Sequence, residues 1–354
     1  MNEPMHKKII IRPFIYNAAS AGDVSLALLI LLLLQLIMLV ATRSYNALAV
    51  IGASLIGSLC ADSVSKAYRT PYLFSVRMSA VQGITAAMLL PATFPPVTVF
   101  FIAFFTMMLV KYMAGGFAYN WINAAVVVAA FAWIVGMSAF PSVMATHDIL
   151  QIKNPSYILI QSGAFPILRF DPPITEAFNS MIFNFINISI PEGYISLLWD
   201  TNAIIPAFRF NMLTLLSSIV LFSTGMLSMI IPSCFVVVYA LLVRFAGPLF
   251  CGGIPGQGDM ILALLTGGTL FCAVFVVQWY GTVPLTAWGK AVYGVLCGIL
   301  AFFIAGCGTS PIGMVFTVLC ANIFSPLIQI SEDKKNKKKL DALLARHFIE
   351  QEAE

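Results

Sequence analysis

From Gly115 the chain reads GGFAYNWINAAVVVAAF, the stretch whose residue types best suit chemistry. Gly115 and Gly116 disfavour a continuous helix, and Asn120 is placed to cap one that begins at Trp121. Free backbone N–H groups at such a start suit a phosphate or a carboxylate. The same residues also make a tight re-entrant turn, with Asn120 and Asn123 satisfying backbone groups where water is scarce. Spacing alone favours that plainer reading. Three ionisable residues, Asp62, Lys111 and Asp259, lie near the ends of apolar runs, where snorkelling or capping accounts for them. His6, His147 and His347 are far apart, and none of the seven cysteines forms a CxxC pair, so no metal site is expected. Residues 247–259, GPLFCGGIPGQGD, lack the following lysine and hydroxyl of a phosphate loop and read as a turn. With no dinucleotide fingerprint, Walker A, HExxH or GxSxG pattern, NADH oxidation is not assigned to this chain.

The elements that position these residues follow from composition. Of 354 residues, 60% are hydrophobic and 10% charged, and mean hydropathy is +0.93. A soluble domain carries roughly a quarter charged residues, so the chain is read as an all-α integral membrane protein. Apolar stretches long enough to span fall at 24–42, 46–61, 77–93, 96–114, 121–140, 208–226, 229–247, 259–278, 290–306 and 310–329. The first reads as a retained span rather than a cleaved signal, because no small-residue cleavage site ends it. Lys7, Lys8 and Arg12 near the start and Lys334, Lys335, Lys337, Lys338 and Lys339 near the end put both termini in the cytoplasm, which ten spans satisfy. Lys66, Arg69, Arg77, Lys111 and Lys290 agree with that orientation; Arg43, Arg169 and Arg244 do not. The lysine run is a topology signal and a contact for acidic membrane lipids, and no nucleic acid partner is expected.

The spans divide into two fives. Each fifth span follows a glycine-rich turn, GGFAYN or AGCGTSP, and each carries an asparagine, Asn123 or Asn322. Five spans per repeat force inverted topology. The boundaries are a cytoplasmic tail 1–23, a first five-helix repeat 24–140, an extracytoplasmic segment 141–206, a second repeat 207–329 and a basic cytoplasmic tail 330–354. The proline-rich 141–206 segment holds no span and reads as a functional cap or docking element. Trp279, Tyr280 and Trp288 read as interfacial belt residues.

Three motifs carry a family resemblance. Gly115, Gly116, Asn120, Asn123 and Ala125 match a GGxGxNxFNPA pattern, with Ala118, Ile122 and Ala124 as departures. In QWYGTVPLTAWGKAVYG, Thr282, Pro284, Leu285, Thr286, Gly289, Lys290, Tyr293 and Gly294 match a TDPVTSPLTPKGRxIYG pattern. Gly313, Asn322 and Pro326 match a shared final span. Over about residues 10–330 the chain resembles the RnfD/NqrB family, membrane flavoprotein subunits of Rnf complexes and of the sodium-pumping NADH:quinone reductase. The RnfD branch is the nearer, since the long N-terminal extension typical of NqrB does not precede the first span.

The resemblance implies a subunit of an electron-transport complex of the bacterial cytoplasmic membrane, coupled to proton or sodium translocation. Its partners would be a second flavoprotein subunit and iron–sulfur subunits. The family esterifies FMN to a threonine in a D-[GA]-x-S-x-A-T motif followed by proline. Here LIQSGAFP aligns: Ser162, Gly163, Ala164 and Pro166 fit, Leu159 replaces the aspartate, and Phe165 stands at the acceptor. Phenylalanine has no hydroxyl, so covalent FMN is not expected. Trp279 and Ser79 align with family acids, and FRFNM replaces a segment that carries a glutamate. Any flavin, FMN or riboflavin, would be noncovalent, held near Gly115, Gly116, Asn120, Asn123 and Thr282 and near Ser162, Gly163 and Ala164, with Arg169 beside its phosphate. Two alternatives stay open: a redox-inactive scaffold of the same complex, and a solute carrier or channel built from inverted repeats.

Overall fold

The computed structural model describes residues 19–66, 73–114, 120–142, 145–187 and 189–352. It is helical, as 60% apolar composition inside a bilayer requires, because lipid leaves backbone groups no outside partner. The first half comprises α1 (Ala21–Ala41), α2 (Tyr45–Lys66), α3 (Leu73–Met88), α4 (Pro96–Met107) and α5 (Ala124–Val135). α4 runs on as a π-helical turn over Met108–Met113. Four short helices follow: α6 (His147–Gln151), α7 (Pro155–Gln161), α8 (Asp171–Met181) and α9 (Tyr194–Trp199). The second half comprises α10 (Asn211–Ser223), α11 (Ile230–Phe245), α12 (Gly247–Cys251), α13 (Met260–Leu265), α14 (Thr269–Phe271), α15 (Ala287–Ile304) and α16 (Gly313–Glu352). Among the described residues, five helices are long and apolar enough to cross a membrane, and Ala124–Val135, Asn211–Ser223 and Ile230–Phe245 are shorter apolar helices.

Local chemistry sets the helix starts. Ser20 and Asp23 form a capping box: Ser20 Oγ accepts from the Asp23 N–H at 3.1 Å, and Asp23 Oδ2 accepts from the Ser20 N–H at 3.2 Å. α1 therefore begins at Ala21, a turn earlier than its apolar run. α16 passes straight through the lysine run, so the basic segment extends a membrane helix.

The stretch expected as one span over 259–278 is instead broken. α13 ends at Leu265; Gly268, at φ +69°, separates it from α14, which continues as a π-helical turn over Cys272–Val276. At Gly268 a Cβ would sit 2.4 Å from the Phe208 ring, and at Gly308 one would sit 2.6 Å from the Ala263 Cα. Close backbone approach is what breaks the helix. Irregular backbone survives at membrane depth only when shielded from lipid, and residues 266–279 are all buried. This broken segment is the axis on which the candidate site is built.

Candidate functional site

The C-terminal end of the broken segment gathers one set of motif residues. Asn123, not Asn120, caps α5: its Oδ1 accepts from the Ala125 N–H at 3.0 Å, and its Nδ2 donates to the Val276 carbonyl at 2.9 Å. The helix thus starts three residues later than the sequence reading placed it, because Asn123 holds the extended backbone of a cap (φ −70°, ψ 109°) and joins two segments. Asn120 is buried, and neither of its side-chain polar atoms finds a partner among the described residues. Its carbonyl faces Gly281, where a Cβ would come within 2.5 Å and where φ is +79°. Thr282 is buried beside it and donates to the Trp279 carbonyl at 2.9 Å. Gly115 and Gly116 lie outside the described residues. Trp279 is 1% exposed and belongs to the core rather than an interfacial belt, whereas Trp288 is 71% exposed.

A second polar cluster joins α2, α3 and the π turn after α4. Tyr112 OH donates to Asp62 Oδ1 at 2.7 Å and pairs with Ser79 Oγ at 2.8 Å. Lys111 Nζ donates to Ser79 Oγ at 2.9 Å and lies 5.0 Å from the centre of the Tyr112 ring. Ser75 Oγ donates to Asp62 as well. Lys111 and Asp62 are 2% and 1% exposed, so neither snorkels to an interface. The π turn explains this: an extra residue per turn swings Lys111 inward where a regular helix would aim it elsewhere. The serine aligned with a family acid, Ser79, now carries the lysine's ammonium. Asp259, in contrast, is a cap: its carboxylate accepts from the Ile261 and Leu262 N–H groups at 3.0 Å and from the Ser156 N–H at 2.8 Å.

The LIQSGAFP stretch ends α7 and turns at Gly163 (φ +79°). Ser162, Gly163 and Ala164 are exposed, as is Arg169, and Ser162 Oγ is turned back onto the Leu159 carbonyl at 3.0 Å. Phe165 is 2% exposed and packs with Leu159, Ile160, Leu197 and Leu262. Phe165 itself offers no hydroxyl for a flavin ester, and its ring fills the acceptor position in an apolar cluster. Phe165 packs on Leu262 and Asn123 bonds to Val276, so the two motif sets attach at different ends of the broken segment.

The segment holding Phe165 is anchored by groups the sequence reading passed over. Asp171 is buried; burial disfavours its charge, but the Gly193 N–H, the Ser196 hydroxyl and N–H, and the Thr175 hydroxyl donate to it and hold its carboxyl below the usual range. Arg209 grips Asp200 with two donors at 2.8 and 2.5 Å and reaches Ser44 at 2.6 Å. No motif marks the Asp200–Arg209 pair. Lys111 did carry a signal, a lone cation near the end of an apolar run.

Across residues 8–338 the sequence matches the NQR2, RnfD, RnfE family. The chain belongs to this family. Among its curated relatives, the D component of the Na(+)-translocating ferredoxin:NAD(+) oxidoreductase complex of Acetobacterium woodii is 23% identical over 284 residues, covering 80% of each chain. The D component of the ion-translocating oxidoreductase complex of Mannheimia succiniciproducens is 26% identical over 80% of this chain and 84% of its own. The corresponding component of the proton-translocating ferredoxin:NAD(+) oxidoreductase complex of Clostridium ljungdahlii is 24% identical over 80% and 81%. The sodium and proton relatives are about equally distant, so kinship does not select an ion. Among the motif residues, Asn123 caps α5, Thr282 bonds the Trp279 carbonyl, and Gly289 packs against Glu332.

Proposed function

We propose that this chain is the D-type component of an Rnf-type complex of the bacterial cytoplasmic membrane, coupling electron transfer to proton or sodium movement, and that it carries no covalent flavin. Its partners would be the second flavoprotein subunit and the iron–sulfur subunits of such a complex. The observation that carries the flavin part is Phe165, buried among Leu159, Ile160, Leu197 and Leu262 at the acceptor position. Ten spans in two inverted repeats, with both termini cytoplasmic, complete the reading. Supporting it, hydrogen bonds between segment ends join ends that an alternating path puts on one side: Thr93 to Ala139, Arg209 to Ser44, Tyr280 to Ala21 and Ser75 to Asp62. The halves correspond in one packing pair, α2 against α4 and α11 against α15, although α2 also packs as fully on α3.

A redox-inactive scaffold is the second reading, favoured by the separation of the two motif sets. The purified complex tests both. A denaturing gel is expected to show no flavin fluorescence at the 38.5 kDa band; a fluorescent band there overturns the noncovalent reading. Native absorbance of this chain within its complex then separates the two: flavin absorbance assignable to it favours a redox role, and its lack favours a scaffold.

A further inference from the structure

Along α16, residues three and four apart share one face. Phe324, Ile328, Lys335 and Lys339 therefore form one stripe, apolar at first and basic beyond, on a helix that does not break between the two parts. α15 faces it with Leu296 and Trp288. Between them runs an open groove of about 560 Å³ with the two lysines at one end. Trp288, 71% exposed, marks the level of the membrane interface. From Trp288 to Leu296 the wall descends about 12 Å toward the hydrocarbon. The one acid in the groove is already engaged: Glu332 accepts from the Thr286 hydroxyl at the start of α15, and lies where a Cβ on Gly289 would be. Two ammonium groups, Lys335 and Lys339, against that single carboxylate leave the charged end of the groove net positive.

An apolar trough that opens at headgroup level onto two ammonium groups has the shape and charge of one ligand class. We propose that this groove binds an acidic phospholipid, its phosphate held by Lys335 and Lys339 and an acyl chain laid against Leu296, Phe324 and Ile328. This inference is independent of whether the chain binds flavin. It separates a defined lipid site from the diffuse attraction of a polybasic segment.

The test uses the full chain within its purified complex, titrated with phosphatidylglycerol or phosphatidylcholine and read by native mass spectrometry. Phosphatidylglycerol is expected to bind in preference. The pair Lys335→Gln/Lys339→Gln should weaken it by at least about tenfold, at roughly fivefold per lysine. The pair Lys337→Gln/Lys338→Gln removes the same charge from exposed positions off the stripe and should stay within about twofold. Leu296→Trp, which fills the trough without touching charge, should also displace the lipid. Equal losses for both lysine pairs would reduce the effect to diffuse electrostatics and overturn the site. Equal binding of phosphatidylcholine, or loss of a protein partner rather than lipid from Leu296→Trp, would overturn it too.

Discussion

Phe165 shows how a single substitution changes both chemistry and packing. The sequence already excludes an ester at this position, since a benzyl group offers no oxygen. What it does not convey is that the ring is part of the 141–206 segment's core, 2% exposed against Leu159, Ile160, Leu197 and Leu262. Restoring the family's residue should therefore not restore its chemistry. Phe165→Thr would aim a hydroxyl into an apolar nook and leave a void. It is expected to destabilise the fold by about 2–4 kcal/mol and to remain unflavinylated. Thermal melting in detergent and gel fluorescence check the two halves; a fluorescent variant with unchanged melting would show the position to be a vacated flavin site. The ionisable residues teach the complementary lesson. Asp62 and Lys111 are visible in sequence, but Lys111 sits on a π turn that sequence periodicity does not announce. Arg209 and Asp200 are less visible still, because they lie nine positions apart and meet through a turn without a motif.

At the scale of elements, apolar run length locates helices well and their ends less well. Each of the ten apolar stretches carries helix, because that is what lipid permits a hydrophobic chain to form. The starts move where a specific cap decides them, at Ser20 and at Asn123. The broken segment escapes a hydropathy reading because its composition is that of a continuous span; only the close approach of Ala263, Phe208 and Gly308 explains the interruption. The 141–206 segment is legible as a structured element, yet its organising residue is not. Asp171 draws α8, the Gly193 turn and α9 together through hydrogen bonds that its charged form accepts best. Its folded pKa is depressed, so the stability it contributes is full above its unfolded value of about 4 and is lost as pH falls through the lower folded value. Protease nicking of the 141–206 segment should accordingly rise in acid below about pH 4. Asp171→Asn should be susceptible already at neutral pH and lose that acid dependence. An acid limb unchanged in the variant would assign it to another carboxylate.

At the scale of the whole molecule, the question is whether two halves of unlike sequence are one design used twice. Gln35 on α1 donates to Thr214 on α10 at 2.9 Å, and Trp133 on α5 stacks edge-on against Phe316 on α16 at 5.5 Å. First meets sixth and fifth meets tenth, as a two-fold axis in the membrane plane would arrange them. The two glycine turns use the broken segment in the same spirit: AGCGTSP abuts its break through Gly308, and the end of GGFAYN meets its C-terminal end at Gly281. On the proposed ten-span plan, the odd number of spans per half puts the 141–206 segment and the C-terminal lysines on opposite sides of the bilayer. Reporter fusions decide this. Alkaline phosphatase inserted after Gly163, at an exposed turn, is expected to be active, whereas the same enzyme fused after Glu354 is expected to be inactive and a fluorescent protein there bright. Activity at both sites would require an odd number of crossings between them to become even. That would remove one of the ten proposed spans, and the broken segment, already irregular and buried over 266–279, is the one whose crossing would then have to be reassigned.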